Sequence, residues 1–293
     1  VKWYRQAANQ GFAQAQCNLG LMYENGKGTL RNLSEQKRQE IAVKWYRQAA
    51  NQGFAQAQFN LGIMHENGKG GLTQSDKNAV EWYQKAAHQG FAPAENNLGV
   101  MYQTGEGGFP QSDDEAVKWY QKAANQKFAA AQNSLGVMYV EGRGGLVQSD
   151  DEAVKWYRQA ADQGDALAQC NLGLMHELGK GGLPQNNIEA LKWYHLAARQ
   201  DNPVAQYNLG MLSYYGSLGF IQSFNVAALW FGKAAEQGYV DAQYNLGEMY
   251  QFGLGRRKDL NTAESWYIKA KVGGSERAVT RLNEIVIEKN SYY

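Results

Sequence analysis

Tryptophan recurs at positions 3, 45, 82, 119, 156, 193, 230 and 266, at intervals of 42, 37, 37, 37, 37, 37 and 36 residues. No other feature restricts the fold so strongly. A period in this range marks a solenoid of stacked supersecondary units, none of which can bury its apolar face alone. All eight tryptophans belong to the pattern, so the repeat spans the 293 residues and overrides the one or two ordinary domains that length alone suggests. The first interval carries five extra residues near TLRNLSEQKRQE, predicted to lengthen one loop or the start of one helix.

Each unit divides into two helices. In FAQAQFNLGIMHENGKG, residues Ala57, Leu61, Met64 and His65 fall at i, i+4, i+7 and i+8, the apolar stripe of an amphipathic helix, here helix A. Glycine recurs inside it as Gly20, Gly62, Gly99, Gly136, Gly173, Gly210 and Gly247. A mid-helix glycine costs about 1 kcal/mol relative to alanine, so the recurrence predicts close approach of a neighbouring helix. The second half, SDKNAVEWYQKAAHQG, starts with cap-type Ser75 and Asp76 and ends at Gly90. This is helix B, with Ala79, Tyr83 and Ala86 on one face and Trp82 and Ala87 beside them. Its acidic start (Asp113, Asp114, Glu115) and basic later turns (Lys118, Lys122) match the helix dipole. The expected layout is a single solenoid domain: an orphan helix B over residues 1–11, seven A–B units over 12–274, and a capping helix over 275–293. The cap is predicted to place Ala278, Leu282, Ile285 and Val286 on the stripe, with Asn283 where the other units have glycine.

The pattern A-x-A-Q-x-N-L-G-x-M-Y-x-x-G-x-G, followed by D-x-x-x-A-x-x-W-Y-x-x-A-A-x-x-G, resembles the Sel1-like repeat family, relatives of the tetratricopeptide repeats, over essentially the whole chain. The resemblance implies an all-α, right-handed α/α superhelix whose A helices line a concave surface, and a role as adaptor for protein partners. Some bacterial members are cysteine-rich, with a disulfide in each repeat. Here only Cys17 and Cys170 occur, at equivalent positions four repeats apart, beyond the predicted reach of a disulfide. Other members are exported by bacteria and meet host proteins. The chain opens at Val1 in the middle of an expected helix, so an upstream export segment and the compartment are left open.

The stretch NLGLMYENGKGT comes near a phosphate-binding loop, but its lysine does not persist. Lys27, Lys69 and Lys180 are matched by Glu106, Arg143 and Leu254, and only the glycines hold. Gly26 and Gly28 are therefore expected to end helix A, leaving Lys27 facing solvent. His65 and His176 take a slot held elsewhere by Tyr23, Tyr102, Tyr139 and Tyr250 and are expected in the core, with His88 and His195 exposed. Metal ligation needs several convergent donors, and no metal or cofactor is expected. No Ser, His and Asp trio is singled out, and the pairs Asp113/Asp114 and Asp150/Asp151 are expected to serve as solvated helix starts, so no catalytic residue is expected. Met22, Met64, Met101, Met138, Met175 and Met249 share one stripe position, with Leu212 taking the core slot beside a slipped Met211. Lys44, Arg47, Lys118, Lys122, Lys155 and Arg158 are expected to form ridges on helix B while Trp and Tyr face the core. With a formal charge of +1 and acidic helix starts nearby, nucleic-acid binding is not expected. No apolar run approaches the roughly 18 residues of a membrane helix, and a monomer is expected.

If the scaffold is constant, binding should use helix A positions that vary off the stripe. Two rows qualify: Cys17, Phe59, Asn96, Asn133, Cys170, Tyr207 and Tyr244; and, seven residues on, Glu24, Glu66, Gln103, Val140, Glu177, Tyr214 and Gln251. Asn18, Asn60, Asn97, Asn171, Asn208 and Asn245 flank the stripe, with Ser134 interrupting, and either bond a bound peptide or fix neighbouring loops. Units six and seven crowd Tyr207, Tyr214, Tyr215, Phe220, Phe224, Phe231, Tyr244 and Phe252 into one region, and Ser213 replaces a core Tyr. Large aromatics anchor interfaces. The expected protein-binding set is Tyr207, Tyr214, Tyr244, Gln251, Phe59, Asn96, Asn133, Asn171, Asn208 and Asn245. A cell-envelope hydrolase of the same repeat family and a purely structural spacer are the alternatives.

Overall fold

The computed structural model describes residues 2–27, 32–216 and 221–290. Gly28, Thr29 and Phe220 lie outside the described residues. Within them the protein is an all-α helical-repeat solenoid of sixteen helices and no strand. The A helices are α2 (Ala13–Glu24), α4 (Ala55–Glu66), α6 (Ala92–Thr104), α8 (Ala129–Glu141), α10 (Ala166–Leu178), α12 (Pro203–Tyr215) and α14 (Val240–Phe252), with α16 (Glu276–Asn290) in the same register. The B helices are α1 (Lys2–Asn9), α3 (Glu35–Asn51), α5 (Asp76–Ala87), α7 (Asp113–Asn125), α9 (Asp150–Asp162), α11 (Asn187–Ala198), α13 (Phe224–Glu236) and α15 (Leu260–Val272). The five extra residues fall between α2 and the tryptophan of α3, and most of them lengthen the start of α3, which has 17 residues against 12 in α5. The chain forms two compact units, Val1–Ser149 and Asp150–Tyr293.

Within each unit, every A helix packs on the B helix that follows, and every B helix on the next A helix. The recurrent glycine explains the first contact. What approaches it is an aromatic ring rather than a helix backbone. A Cβ at Gly62 would lie 2.5 Å from Cε1 of Tyr83, and the same clash joins Gly20 to Tyr46, Gly99 to Tyr120, Gly173 to Tyr194 and Gly247 to Tyr267. In α12 the partner ring is Phe231. These rings are fully buried, and the helix-A residues Leu61, Met64, Leu98, Met101, Leu209 and Leu212 pack around them.

Helix starts follow the expected chemistry. Ser34, Ser75, Ser112, Asn186, Ser223 and Asp259 each accept a backbone N–H in the first turn of their B helix. Gly26 adopts φ +59° beyond α2, as a chain reversal requires. The second glycine of the loop is a packing residue as well. A Cβ at Gly144 would meet Val117 and the Asp113 carbonyl, and one at Gly181 would meet Val154 and the Asp150 carbonyl.

Four expectations change. From Trp45 onward tryptophan is half-buried rather than a core residue, and Trp3 is exposed; lysine Nζ lies over the ring in Lys85–Trp82, Lys122–Trp119, Lys233–Trp230 and Lys269–Trp266, at 3.8 to 4.8 Å from the ring centre. Cation–π attraction therefore occupies part of the basic ridge. His195 is half-buried against the edge of Trp230 instead of exposed. Val286 faces solvent, and Ala278 and Ile285 carry the packing of α16. Asp113 and Asp150 are more than solvated helix starts: Arg143 closes on Asp113 with two bonds of 2.8 Å, and Lys180 reaches Asp150 at 3.7 Å. The loop cation, where present there, neutralises the preceding B helix.

One helix A residue breaks a hydrogen-bond pattern. Gln16, Gln58, Gln132, Gln169, Gln206 and Gln243 each donate Nε2 to an alanine carbonyl of the preceding B helix, at 3.2 to 3.4 Å. The equivalent residue in α6 is Glu95, 4% exposed, whose carboxylate cannot donate and instead accepts from Gln126 at 2.7 Å. Burial pushes its carboxyl above the usual range, partly offset by the Lys122 charge and the Gln126 bond. A raised folded-state pKa means that the ionised form destabilises above it, and that the penalty fades as pH falls through it.

Two outcomes follow from this packing. Gly99→Ala should lower stability by roughly 1–3 kcal/mol in thermal or urea melts, because the ring of Tyr120 has no room to yield; a neutral or stabilising alanine would contradict the ring-on-glycine account. Glu95→Gln should raise stability by about 1 kcal/mol at pH 7 by restoring a donor to the buried carbonyl. That gain should shrink as urea melts are taken to acid pH, and a pH-independent difference would exclude the ionised carboxylate as its source.

Candidate partner-binding face

The two variable rows on helix A have different fates. Five members of the second, Val140 and Tyr214 apart, supply acceptors to buried tyrosines. Tyr46 Oη donates to Glu24 at 2.6 Å, Tyr83 to Glu66 at 2.7 Å, Tyr120 to Gln103 at 2.7 Å, Tyr194 to Glu177 at 2.6 Å and Tyr267 to Gln251 at 2.9 Å. A buried hydroxyl left unpaired costs about 1–3 kcal/mol, so each ring that fills a glycine notch needs such a partner. Burial and the adjacent carboxylate hold the hydroxyls of Tyr46, Tyr83 and Tyr194 far above the ordinary phenol range. In the sixth unit Phe231 has no hydroxyl, and the acceptor position holds Tyr214, packed on Phe231 and Phe224. The two departures compensate one another.

The first row is mostly consumed by packing. Cys17, Asn133, Cys170 and Tyr244 are buried, and Phe59 lies half-buried between Tyr83 and Phe91. Both thiols are free, and burial pushes each up to about 12, which leaves them unreactive. Asn96 is half-buried and donates to Asn97 at 3.5 Å. The asparagine row largely fixes neighbours. Asn60 donates to Cys17 Sγ at 3.7 Å and Asn245 to Met211 Sδ at 3.4 Å, while Asn97 and Asn208 lie near the hydroxyls of Tyr83 and Tyr194 and Asn245 near that of Tyr207. Asn171 is half-buried.

Helix α16 covers the last A helix. Arg281 donates to Glu248 at 2.6 Å and to Tyr244 Oη at 3.3 Å, Arg277 lies 4.4 Å above the Tyr244 ring, and Gln251 donates to Glu288 at 3.4 Å. Tyr244 and Gln251, expected on an open face, are therefore interior residues of the second unit. Each faces a partner that the chain itself supplies.

What stays open is a different set of helix A positions. On α10, Leu167, Leu174 and Leu178 fall at i, i+7 and i+11 and are 56%, 41% and 52% exposed. On α12 the same register holds Val204, Met211 and Tyr215, the last 64% exposed. Next to them Tyr207, Met211, Tyr214, Tyr215, Asn245, Glu248 and Arg277 line a cavity of about 130 Å³. Tyr214 stands edge-on to Tyr215 at 5.1 Å, and Tyr207 leans on Tyr239 at 5.0 Å. Partial burial pushes the hydroxyls of Tyr207 and Tyr214 upward, helped by Asp241 and Glu248 respectively. Glu248 Oε1 takes the bonds from Tyr244 and Arg281. The site thus offers aromatic walls, a thioether floor, and hydrogen-bonding groups of both kinds at its rim. Of the expected set, the structure brings Tyr207, Tyr214 and Asn245 together here. The sequence-based choice missed Tyr215, Met211, Glu248 and Arg277 and the leucines of α10. Leucine off the core stripe at i, i+7 and i+11 was the signal that could have found the latter.

The remaining buried polar groups are structural in placement. His176 is buried and His65 half-buried, each with Nδ1 unpaired, and burial lowers both pKa values. Among the described residues, no helix is long and apolar enough to cross a membrane.

A family profile described as Sel1 repeat matches residues 1–12, 13–54, 55–91, 92–128, 129–165, 166–202, 203–239 and 240–271. A comparison with curated proteins finds no match. Among solved structures, a Sel1 repeat protein from Oxalobacter formigenes is 35% identical, with a TM-score of 0.70 over 97% of this chain and 79% of that one. A protective antigen present in uropathogenic Escherichia coli strains, displaying an SLR fold, is also 35% identical, with a TM-score of 0.66 over 98% of this chain. The present chain spans 59% of that antigen's length. An immunity protein from Pseudomonas aeruginosa, at 21% identity and a TM-score of 0.51 over 74% of this chain and 80% of its own, shares the fold alone. With its repeats matched from end to end of the array, the chain belongs to the Sel1 repeat family.

Proposed function

We propose that this chain is a non-enzymatic adaptor that captures a protein partner on the A-helix face of residues 150–293. The observation that carries the reading is the aromatic cavity of Tyr207, Tyr214 and Tyr215 beside the exposed leucines of α10. Most other rows of the A helices are spent on holding the repeat together, whereas Tyr215 and the three leucines turn to solvent. Rigid aromatics next to open aliphatic surface are the composition of an interface centre. An extended or helical segment of the partner would lay apolar side chains along Leu167, Leu174 and Leu178 and seat one in the cavity, where Asn245 and Glu248 orient it. The bacterial sources of the two relatives at 35% identity support a bacterial adaptor, and the antigen described for Escherichia coli supports one that faces a host.

The test is quantitative affinity capture, comparing wild type with Tyr215→Ala and with the double variant Leu174→Asp, Leu178→Asp. These positions are exposed, so melting temperature and helical content should stay within a few degrees and a few per cent of wild type. Enrichment of the partner should fall about 30-fold if the face carries interface-centre residues. Unchanged enrichment in both variants would remove this face from the partner site.

A further inference from the structure

The loop between α14 and α15 departs from its counterparts in charge. After α10 the chain runs Gly179-Lys180-Gly181-Gly182, and the single cation faces Asp150 in the first turn of α9. In the first unit Arg143 does the same with Asp113. After α14 the chain runs Gly253-Leu254-Gly255-Arg256-Arg257-Lys258-Asp259, with three consecutive cations. The preceding B helix, α13, starts Phe224-Asn225 and has no acid in its first turn. Cations are thus gained in the loop where the opposing acids have been lost. Gly255 brings the two segments together, since a Cβ there would lie 2.5 Å from the Asn225 nitrogen.

The first of these cations is held in place by uncharged groups. Arg256 donates to the Ala228 carbonyl at 3.1 Å and to Tyr250 Oη at 3.2 Å, with its guanidinium 5.4 Å from the Tyr250 ring centre. Arg257 is exposed beside it. Lys258 pairs with Glu288 of α16. The one acid of the loop, Asp259, is engaged in capping α15: it accepts from the backbone N–H groups of Asn261 and Thr262 and from the Thr262 hydroxyl. Its carboxyl is held below the usual range by those bonds, with a smaller contribution from Arg257. Tyr250, Arg256, Arg257, Lys258, Asp259 and Leu260 line a recess. A guanidinium held by uncharged groups, with no ion pair of its own among the described residues, next to a second that is exposed, is an arrangement suited to binding oxyanions.

We propose that the Arg256–Arg257 recess is a docking site for carboxylates on an acidic segment of the protein partner. This rests on the adaptor reading for the nature of the ligand, but it uses a surface separate from the tyrosine cavity. The chain as a whole carries a net charge of only +1, so a charge-driven contact must be local.

The probe is a fluorescein-labelled hexaglutamate peptide, followed by fluorescence anisotropy at low and moderate salt. Wild type should bind it with an affinity that falls as salt rises, and a hexalysine control should not bind. Arg257→Glu, at an exposed position, should weaken binding at least about tenfold, and Arg256→Gln should do likewise with the fold checked by melting. Lys69→Glu, an exposed loop cation in the first unit, should leave binding intact. So should Tyr215→Ala, which separates failure of this site from failure of the tyrosine face. Wild-type binding by both arginine variants would overturn the proposal, as would equal losses in Lys69→Glu. A preference for phosphatidylserine vesicles over the peptide, abolished by Arg257→Glu, would assign the recess to a membrane surface and overturn it too.

Discussion

The repeat depends on one contact, in which an aromatic ring on helix B sits in the notch left by a glycine on helix A. The contact fixes the distance between the two helices, because a single methyl at the glycine would collide with the ring. It also creates an obligation. Where the ring is tyrosine, its hydroxyl is carried into the interior and needs an acceptor, supplied one turn on by Glu24, Glu66, Gln103, Glu177 or Gln251. The sixth unit shows the logic by exception. Phe231 removes the hydroxyl, and Tyr214 takes the acceptor's place. Ring packing replaces the hydrogen bond there, and Tyr214 also lines the cavity.

Positions that vary from unit to unit are not thereby free. Cys17, Asn133 and Tyr244 vary at one register and are all buried, because variation there is local repacking between adjacent helices. The surface remaining on α10 and α12 is apolar on one side and aromatic on the other. On α14 two of the three positions turn polar, with Asp241 and Glu248 drawn into ion pairs with Arg277 and Arg281 of α16, while Phe252 stays exposed. The terminal helix therefore closes one side of the cavity while leaving Tyr207, Tyr214 and Tyr215 at its mouth.

Charge follows the same internal economy. Acids in the first turns of α7 and α9 meet the loop cations Arg143 and Lys180, and lysines three residues beyond the tryptophans lie on their rings. The basic and acidic groups that the sequence places in large numbers are thus mostly committed within the fold. The loop at Arg256 stands apart because α13 offers it no acid.

The architecture is legible in local and periodic properties of the chain. The tryptophan spacing, the stripe of Ala57, Leu61 and Met64, the recurrent glycine and the Ser or Asn caps specify two helices per unit, since each is a local or periodic property that survives without knowledge of neighbours. The shift of the core slot from Met211 to Leu212 was legible for the same reason. Which off-stripe residues are open depends on packing between helices. Glu24 and Leu174 both lie off the stripe, yet one is pinned by a tyrosine hydroxyl from the next helix and the other meets solvent. Periodicity within a helix gives a residue's angle around its own axis, and burial depends on what a second helix, a loop cation or α16 brings to that angle. Tyr244 and Gln251 look as open in sequence as Tyr207 and Tyr214, and only the packing of Arg277, Arg281 and Glu288 against them separates the interior pair from the half-buried one.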